Sequence, residues 1–219
     1  MSASQVERLD LREQFDTPEQ QKEASTLGMW IFLVTEVMFF GGAFAAYIVY
    51  RSFYTESFGH ASNTLDVRIG AFNTAVLIVS SLTMVLAVHA AQIGARKLIV
   101  LFLLLTILFG GVFLGIKAYE WHHKWEQGLV PGPGFHLPGE PMQGQAQLFF
   151  SLYFAMTGLH ALHMVVGVGI LSVLAVQAYM GRFSPAYYSP VDIAGLYWHF
   201  VDIIWIFLFP LLYLINRHS

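Results

Sequence analysis

Five apolar runs, at about 27–50, 70–93, 97–117, 147–180 and 194–215, each exceed the roughly 20 residues that an α-helix needs to cross the hydrocarbon core of a bilayer. A soluble domain of 219 residues has no interior large enough to hide them, because 56% of its residues are hydrophobic and only 11% are charged. The expected fold is an all-α integral membrane protein, a five-transmembrane-helix bundle forming one membrane domain over residues 27–219. The fourth run is longer than one crossing requires, so it is expected to tilt or to project beyond the membrane.

Residues 1–26 form a polar tail in which Arg8, Arg12 and Lys22 mix with Glu7, Asp10, Glu13, Asp16, Glu19 and Glu23; it is expected to be cytoplasmic and partly disordered. A cleavable secretory signal would place a short apolar region directly after a basic start, so the first span is read as the targeting element. The longest connection, about 118–146, holds Pro131-Gly132-Pro133-Gly134, Pro138-Gly139 and Pro141 and reads as an ordered loop or cap. Tyr119, Trp121 and Trp125 within it suit the membrane interface. The chain has no cysteine, which excludes disulfides, thiolate metal sites, thiol catalysis and iron–sulfur clusters. Its net charge of −3 implies no particular partner.

Orientation follows the Lys and Arg of the short loops. With the N-terminus inside, Arg8, Arg12, Lys22, Arg96, Lys97 and Arg182 lie on the inner side, and Arg51, Arg68, Lys117, Lys124 and Arg217 on the outer side. Six against five barely favours N-inside.

Ionisable side chains within the spans are costly in lipid and mark candidate sites. Glu36 lies near mid-depth of the first span, before Gly41 and Gly42, which permit close helix approach; a proton relay, a hydrogen-bonded structural carboxyl and a lipid headgroup anchor are its possible roles. His160 and His163 sit one turn apart on the fourth span. With His89 and His199 they are the candidates for metal or haem ligation, against the plainer reading of hydrogen bonds between helices. His199 and Asp202 are spaced i, i+3 in the last span, so both can face one neighbouring helix. His122, His123 and His136 read as solvated loop residues. The sequence has no nucleophile elbow, Walker loop, dinucleotide fingerprint or His-Glu-x-x-His pair, so no catalytic centre of its own is expected.

Four motifs carry a family resemblance. Phe72-Asn73-Thr74-Ala75-Val76-Leu77, the stretch from Thr157-Gly158-Leu159-His160 to Val166-Gly167, and Tyr197-Trp198-His199-Phe200-Val201-Asp202-Ile203-Ile204-Trp205 resemble the core motifs of haem-copper oxidase (cytochrome c oxidase) subunit III. Glu36 with Val37-Met38-Phe39-Phe40 is similar to the family's buried helix glutamate, the carboxyl that reacts with carbodiimide. The likeness runs in order from about 27 to 215 and matches the five-helix bacterial type.

The resemblance implies a non-catalytic accessory subunit of a respiratory terminal oxidase, in aerobic electron transport and proton translocation. No cofactor is then bound by this chain; haem and copper belong to the catalytic oxidase subunit I. Its partners would be subunit I, other oxidase subunits, membrane phospholipids and, through the complex, a cytochrome c donor, with no nucleic acid. By the same resemblance Glu36, His160 and His163 are cleft-lining or lipid-binding, and His199 and Asp202 make interhelical polar contacts. The implied location is the bacterial cytoplasmic membrane, N-terminus cytoplasmic and C-terminus outside. Gln177, with Arg182 further on, stands where many members carry an arginine for a lipid phosphate, so that contact is expected to differ. The long 118–146 loop is a candidate contact for a partner subunit or a cytochrome c domain. A quinol oxidase subunit or an accessory protein of nitric oxide reduction is the nearest alternative, and a free-standing b-type cytochrome or small transporter a remote one.

Overall fold

The computed structural model describes residues 14–214, apart from the Pro18 side chain. The tail residues Arg8 and Arg12, and Arg217 at the other end, lie outside the described residues. Among the described residues six α-helices follow in order: α1 (Pro18–Phe53), α2 (Thr55–Asn63), α3 (Val67–Gln92), α4 (Arg96–Glu126), α5 (Gln143–Tyr179) and α6 (Ser189–Phe209), the last continued by a π-helical turn, Pro210–Leu214. All but α2 are long and apolar enough to cross a membrane. With five crossings, residues 14 and 214 lie at opposite ends of the bundle.

The helix boundaries follow local chemistry more than hydropathy. α1 begins nine residues before the apolar run read from position 27, since Thr17 caps it, its hydroxyl accepting from Gln20 N at 3.2 Å, with proline in the first turn. Asp66 caps α3 through Arg68 N at 2.8 Å. Between α3 and α4, Gly94 takes φ +70° and lets Ala95 N return to Ala90 O at 2.9 Å, a glycine-terminated helix end. Pro210 cannot donate to the carbonyl four residues back, and the helix widens there into the π turn.

Two sequence expectations are corrected. Residues 118–126 are helical rather than loop, because Lys117, Glu120 and Lys124 lie on one buried face of α4 and find partners there. Helix α2, short and rich in polar residues, occupies what the hydropathy pattern reads as a connection. The true loop, residues 127–142, folds back on α2 as a cap. Ser57 Oγ donates to Glu140 Oε1 at 2.8 Å, His60 Nδ1 lies 2.9 Å from Glu140 Oε2, and Lys124 Nζ donates to Thr64 O at 2.8 Å. His122 and His123 are exposed on α4, with Glu126 3.7 and 3.8 Å away. His136 remains in the loop and is exposed.

The core centres on α6, which packs against α1, α3 and α5. Its apolar window is 56% buried against 17% for α1, which makes α1 the peripheral helix. Trp198 of α6 inserts where glycine makes room: a Cβ on Gly110 of α4 would lie 2.8 Å from its ring, and one on Gly167 of α5 2.9 Å. Its indole N–H donates to Ser80 Oγ on α3 at 3.1 Å. The α3–α4 seam uses small and hydroxyl residues, with Thr83 and Thr106 hydroxyls 2.8 Å apart.

Candidate functional site

Because α1 stands off from the rest of the bundle, a groove of about 680 Å³ opens between α1, α5 and α6. Met29 and Phe32 of α1, Leu162, Val166, Ile170 and Leu174 of α5, and Ile193 and Ala194 of α6 give it an apolar wall. The α5 interval from Leu162 to Leu174 covers roughly 18 Å at 1.5 Å per residue, comparable to the ~15 Å hydrocarbon depth of one leaflet.

The polar groups of the wall are gathered at its deep end. Glu36 Oε2 lies 3.2 Å from His163 Nε2. His163 Nδ1 lies 2.9 Å from Leu159 O, a carbonyl that can only accept, so Nδ1 carries a proton. One further proton then lies between Glu36 and Nε2, giving either a neutral hydrogen bond or an ion pair within the same net charge. Tyr197 of α6 completes the arrangement: its hydroxyl donates to His163 O at 3.0 Å and its ring stacks on the imidazole at 6.4 Å and 26°. The Phe40 ring of α1 also packs against the imidazole, tilted, with centroids 5.4 Å apart. Three helices thus fix one imidazole, and the proton it shares with Glu36 lies on its Nε2 side alone.

His160 does not line this groove, and its expected placement there is corrected. One turn from His163, it points into the core between Phe113 and Trp205, with ring centroids at 5.3 and 5.1 Å and no hydrogen bond on either nitrogen. Residues i and i+3 diverge here because His163 follows the α1 side of α5 and His160 the α4–α6 side. His199 Nδ1 lies 2.8 Å from Ser81 Oγ on α3. Asp202 is buried on the face of α6 that meets α3. Ser81 of α3 stands beside its carboxyl, and the same hydroxyl, which can accept from one neighbour and donate to the other, meets His199 Nδ1.

His89 and His199 share a separate shallow pocket on the α3–α6 face. The four histidines therefore do not converge, and among the described residues no group of three or more His, Asp or Glu is placed to hold a metal ion.

Sequence reasoning missed a second buried constellation. Lys117 Nζ donates to Glu120 Oε2 at 3.1 Å, Tyr153 Oη at 3.0 Å and Tyr213 Oη at 2.7 Å, and both tyrosines donate to Glu120 Oε1, at 2.8 and 2.6 Å. Lys117 also lies 5.0 Å from the Trp205 ring. The ammonium and carboxylate are satisfied on every side, which is what a buried pair needs to be tolerated. The available signal was the i, i+3, i+7 spacing of Lys117, Glu120 and Lys124 at the end of an apolar run, which marks one helix face rather than a loop.

Comparison with known proteins agrees with this architecture. The family model described as cytochrome c oxidase subunit III matches residues 141–217, the segment holding α5 and α6. Over 207 residues the chain is 31% identical to cytochrome c oxidase subunit 3 of Thermostichus vulcanus, covering 92% of each chain. It is 33% identical over 193 residues to cytochrome c oxidase subunit 3 of Corynebacterium diphtheriae, covering 87% of this chain and 88% of that one. It is 30% identical over 190 residues to quinol oxidase subunit 3 of Bacillus spizizenii, covering 87% and 86%. Relatives named for cytochrome c oxidase and for quinol oxidase each cover most of the chain, and the chain belongs to the subunit III family of haem-copper oxidases.

Proposed function

We propose that this chain is a non-catalytic subunit of a respiratory terminal oxidase of the bacterial cytoplasmic membrane. It packs beside the catalytic subunit I, which holds the haem and copper, and seats phospholipid in the groove between α1, α5 and α6. The N-terminus is cytoplasmic and the C-terminus outside. The donor, cytochrome c or quinol, acts through the complex.

One observation carries the reading: the groove is apolar along its length and closes on the Glu36–His163 pair at its deep end. Acyl chains fit the apolar wall without leaving buried polar groups unpaired. At the other end of the groove, Lys22 Nζ of α1 reaches Tyr188 Oη, just before α6, at 3.2 Å. That places a cation at headgroup level. Gln177 and the exposed Arg182 are near the same end of the bundle. A lipid held there stiffens the looser α1 against the core and, through it, the interface with subunit I. In this role the chain supports proton uptake by shielding the mouth of the partner's proton path, without carrying a catalytic group.

The test is to strip this chain from the purified oxidase and follow turnover. The initial rate should persist while the active lifetime shortens, and lipid should leave with the chain. Loss of the first turnovers on stripping contradicts this function.

A further inference from the structure

At the end of the bundle where α1 begins, the two short connections pack on one another. A Cβ on Gly94, between α3 and α4, would lie 3.0 Å from Pro185, between α5 and α6. Gly181, at φ +76°, leaves room for the Arg96 guanidinium, since a Cβ there would stand 3.2 Å from Arg96 Nη1. The same guanidinium lies over the Tyr179 ring, 5.8 Å from its centroid. Arg96 opens α4 and Tyr179 closes α5, so a held cation stands where the seam between these helices reaches the membrane surface.

Lys97 and Arg182 beside it are exposed as well. No Asp or Glu occurs in residues 93–98 or 176–188, and among the described residues none of the three cations forms an ion pair. The opposite end of the bundle differs: Lys117 pairs with Glu120, and Lys124 donates to Thr64 O. Helix stability does not account for Arg96 and Lys97, because the macrodipole disfavours cations in a first turn. An orientation signal needs charge on one side of the membrane, not a guanidinium held in one place.

Within the span, Leu101 and Leu104 of α4 and Val173 and Val176 of α5 are exposed, a surface suited to acyl chains. The cations at its edge therefore meet the headgroup layer, where the complementary group is a phosphate. No carboxylate stands there to receive an ammonium or choline, which favours a headgroup without a cation of its own. Tyr179 follows Ile170 of the groove by nine residues, two and a half turns, and so faces about 180° away from it round α5.

We propose that Arg96, Lys97 and Arg182, at the edge of the α4–α5 seam, select an anionic phospholipid from the leaflet at that end, with its phosphate on Arg96. This is a second lipid contact, on the far side of α5 from the groove, and it does not depend on the subunit function proposed above.

The chain has no cysteine, so Met180→Cys, at an exposed position next to Tyr179, gives the full chain one attachment point for a fluorophore. In mixed vesicles, brominated phosphatidylglycerol should quench it more than brominated phosphatidylcholine at the same mole fraction. Arg96→Gln with Lys97→Gln should weaken that preference roughly fivefold for each cation removed, the effect of one basic residue at an anionic surface. Arg96→Lys, which keeps the charge, should retain most of it. Both substituted side chains are exposed and lack an ion pair, so the double variant should melt with the parent; Arg182→Gln, in the other connection, provides a second variant with the same expectation. Equal quenching by the two lipids, or a preference that survives the double variant, would overturn the proposal. So would loss of the preference on adding inorganic phosphate, which assigns the cations to a soluble anion. In the purified complex, the double variant should carry less phosphatidylglycerol than the parent; an unchanged content would mean that another subunit covers this edge, and the proposal fails.

Discussion

His163 Nε2 on α5 and Glu36 Oε2 on α1 stand 3.2 Å apart, a polar tie between the peripheral helix and the packed core. Around it, Phe40, Tyr197 and the Leu159 carbonyl fix the imidazole.

Replacing Glu36 separates hydrogen bonding from charge. An amide in Glu36→Gln can donate to His163 Nε2, so stability should change little, whereas Glu36→Ala should cost about 0.6 kcal/mol and at most about 1.7 kcal/mol, the measured range for such contacts in membrane bundles. Thermal melting of the reconstituted chain checks the order. Equal losses for both variants would show that the tie depends on an ion pair.

Lys117→Met should be far more costly, because it strands the Glu120 carboxylate in the core between Tyr153 and Tyr213. The expected loss is about 3–5 kcal/mol. Lys117→Met combined with Glu120→Leu should recover most of it, since the tyrosine hydroxyls, 3.5 Å apart, can then turn to each other. Denaturation in mild detergent compares the single and double variants.

The seat of Trp198 predicts a difference between adjacent glycines. Gly110→Ala forces a methyl to 2.8 Å from the indole and should cost about 1–3 kcal/mol. At Gly111 a Cβ meets nothing within 4 Å, so Gly111→Ala should stay within about 0.5 kcal/mol of the parent. Melting temperatures of the two variants decide it.

The cap beyond the bundle should loosen in acid. Burial raises the pKa of Glu140, but the hydrogen bonds from Ser57, His60 and Met142 N together outweigh it and hold the carboxyl below its ordinary value. A carboxyl depressed in the fold stabilises it fully at neutral pH. That contribution begins to fade as pH falls through the unfolded glutamate value near about 4.3 and is lost below the lower folded value. Hydrogen exchange or limited proteolysis of residues 127–142 should therefore accelerate across that window, and Glu140→Gln should flatten the dependence.

The five spans were legible because hydropathy alone sets them, and Glu36, His163 and His199 were legible because ionisable groups are rare at that depth. Facing was not legible. His160 and His163 share a motif, yet one enters the aromatic core and the other the groove, which depends on how α5 rotates against α4 and α6. Lys117 and Glu120 were hidden for the converse reason: charged residues ended the apolar run, and although their spacing with Lys124 marks one helix face, only the tertiary partners Tyr153 and Tyr213 show that this face turns inward. Asp202 was expected to make an interhelical contact, and that it meets α3 beside Ser81 is visible only once the helices are packed.

The most direct measurement is gentle purification through a tag on this chain, with a reduced-minus-oxidised spectrum and mass spectrometry before and after the chain is stripped away. The account predicts that a large haem-bearing subunit co-purifies and keeps all the haem after stripping. Haem that stays with this chain alone would contradict it.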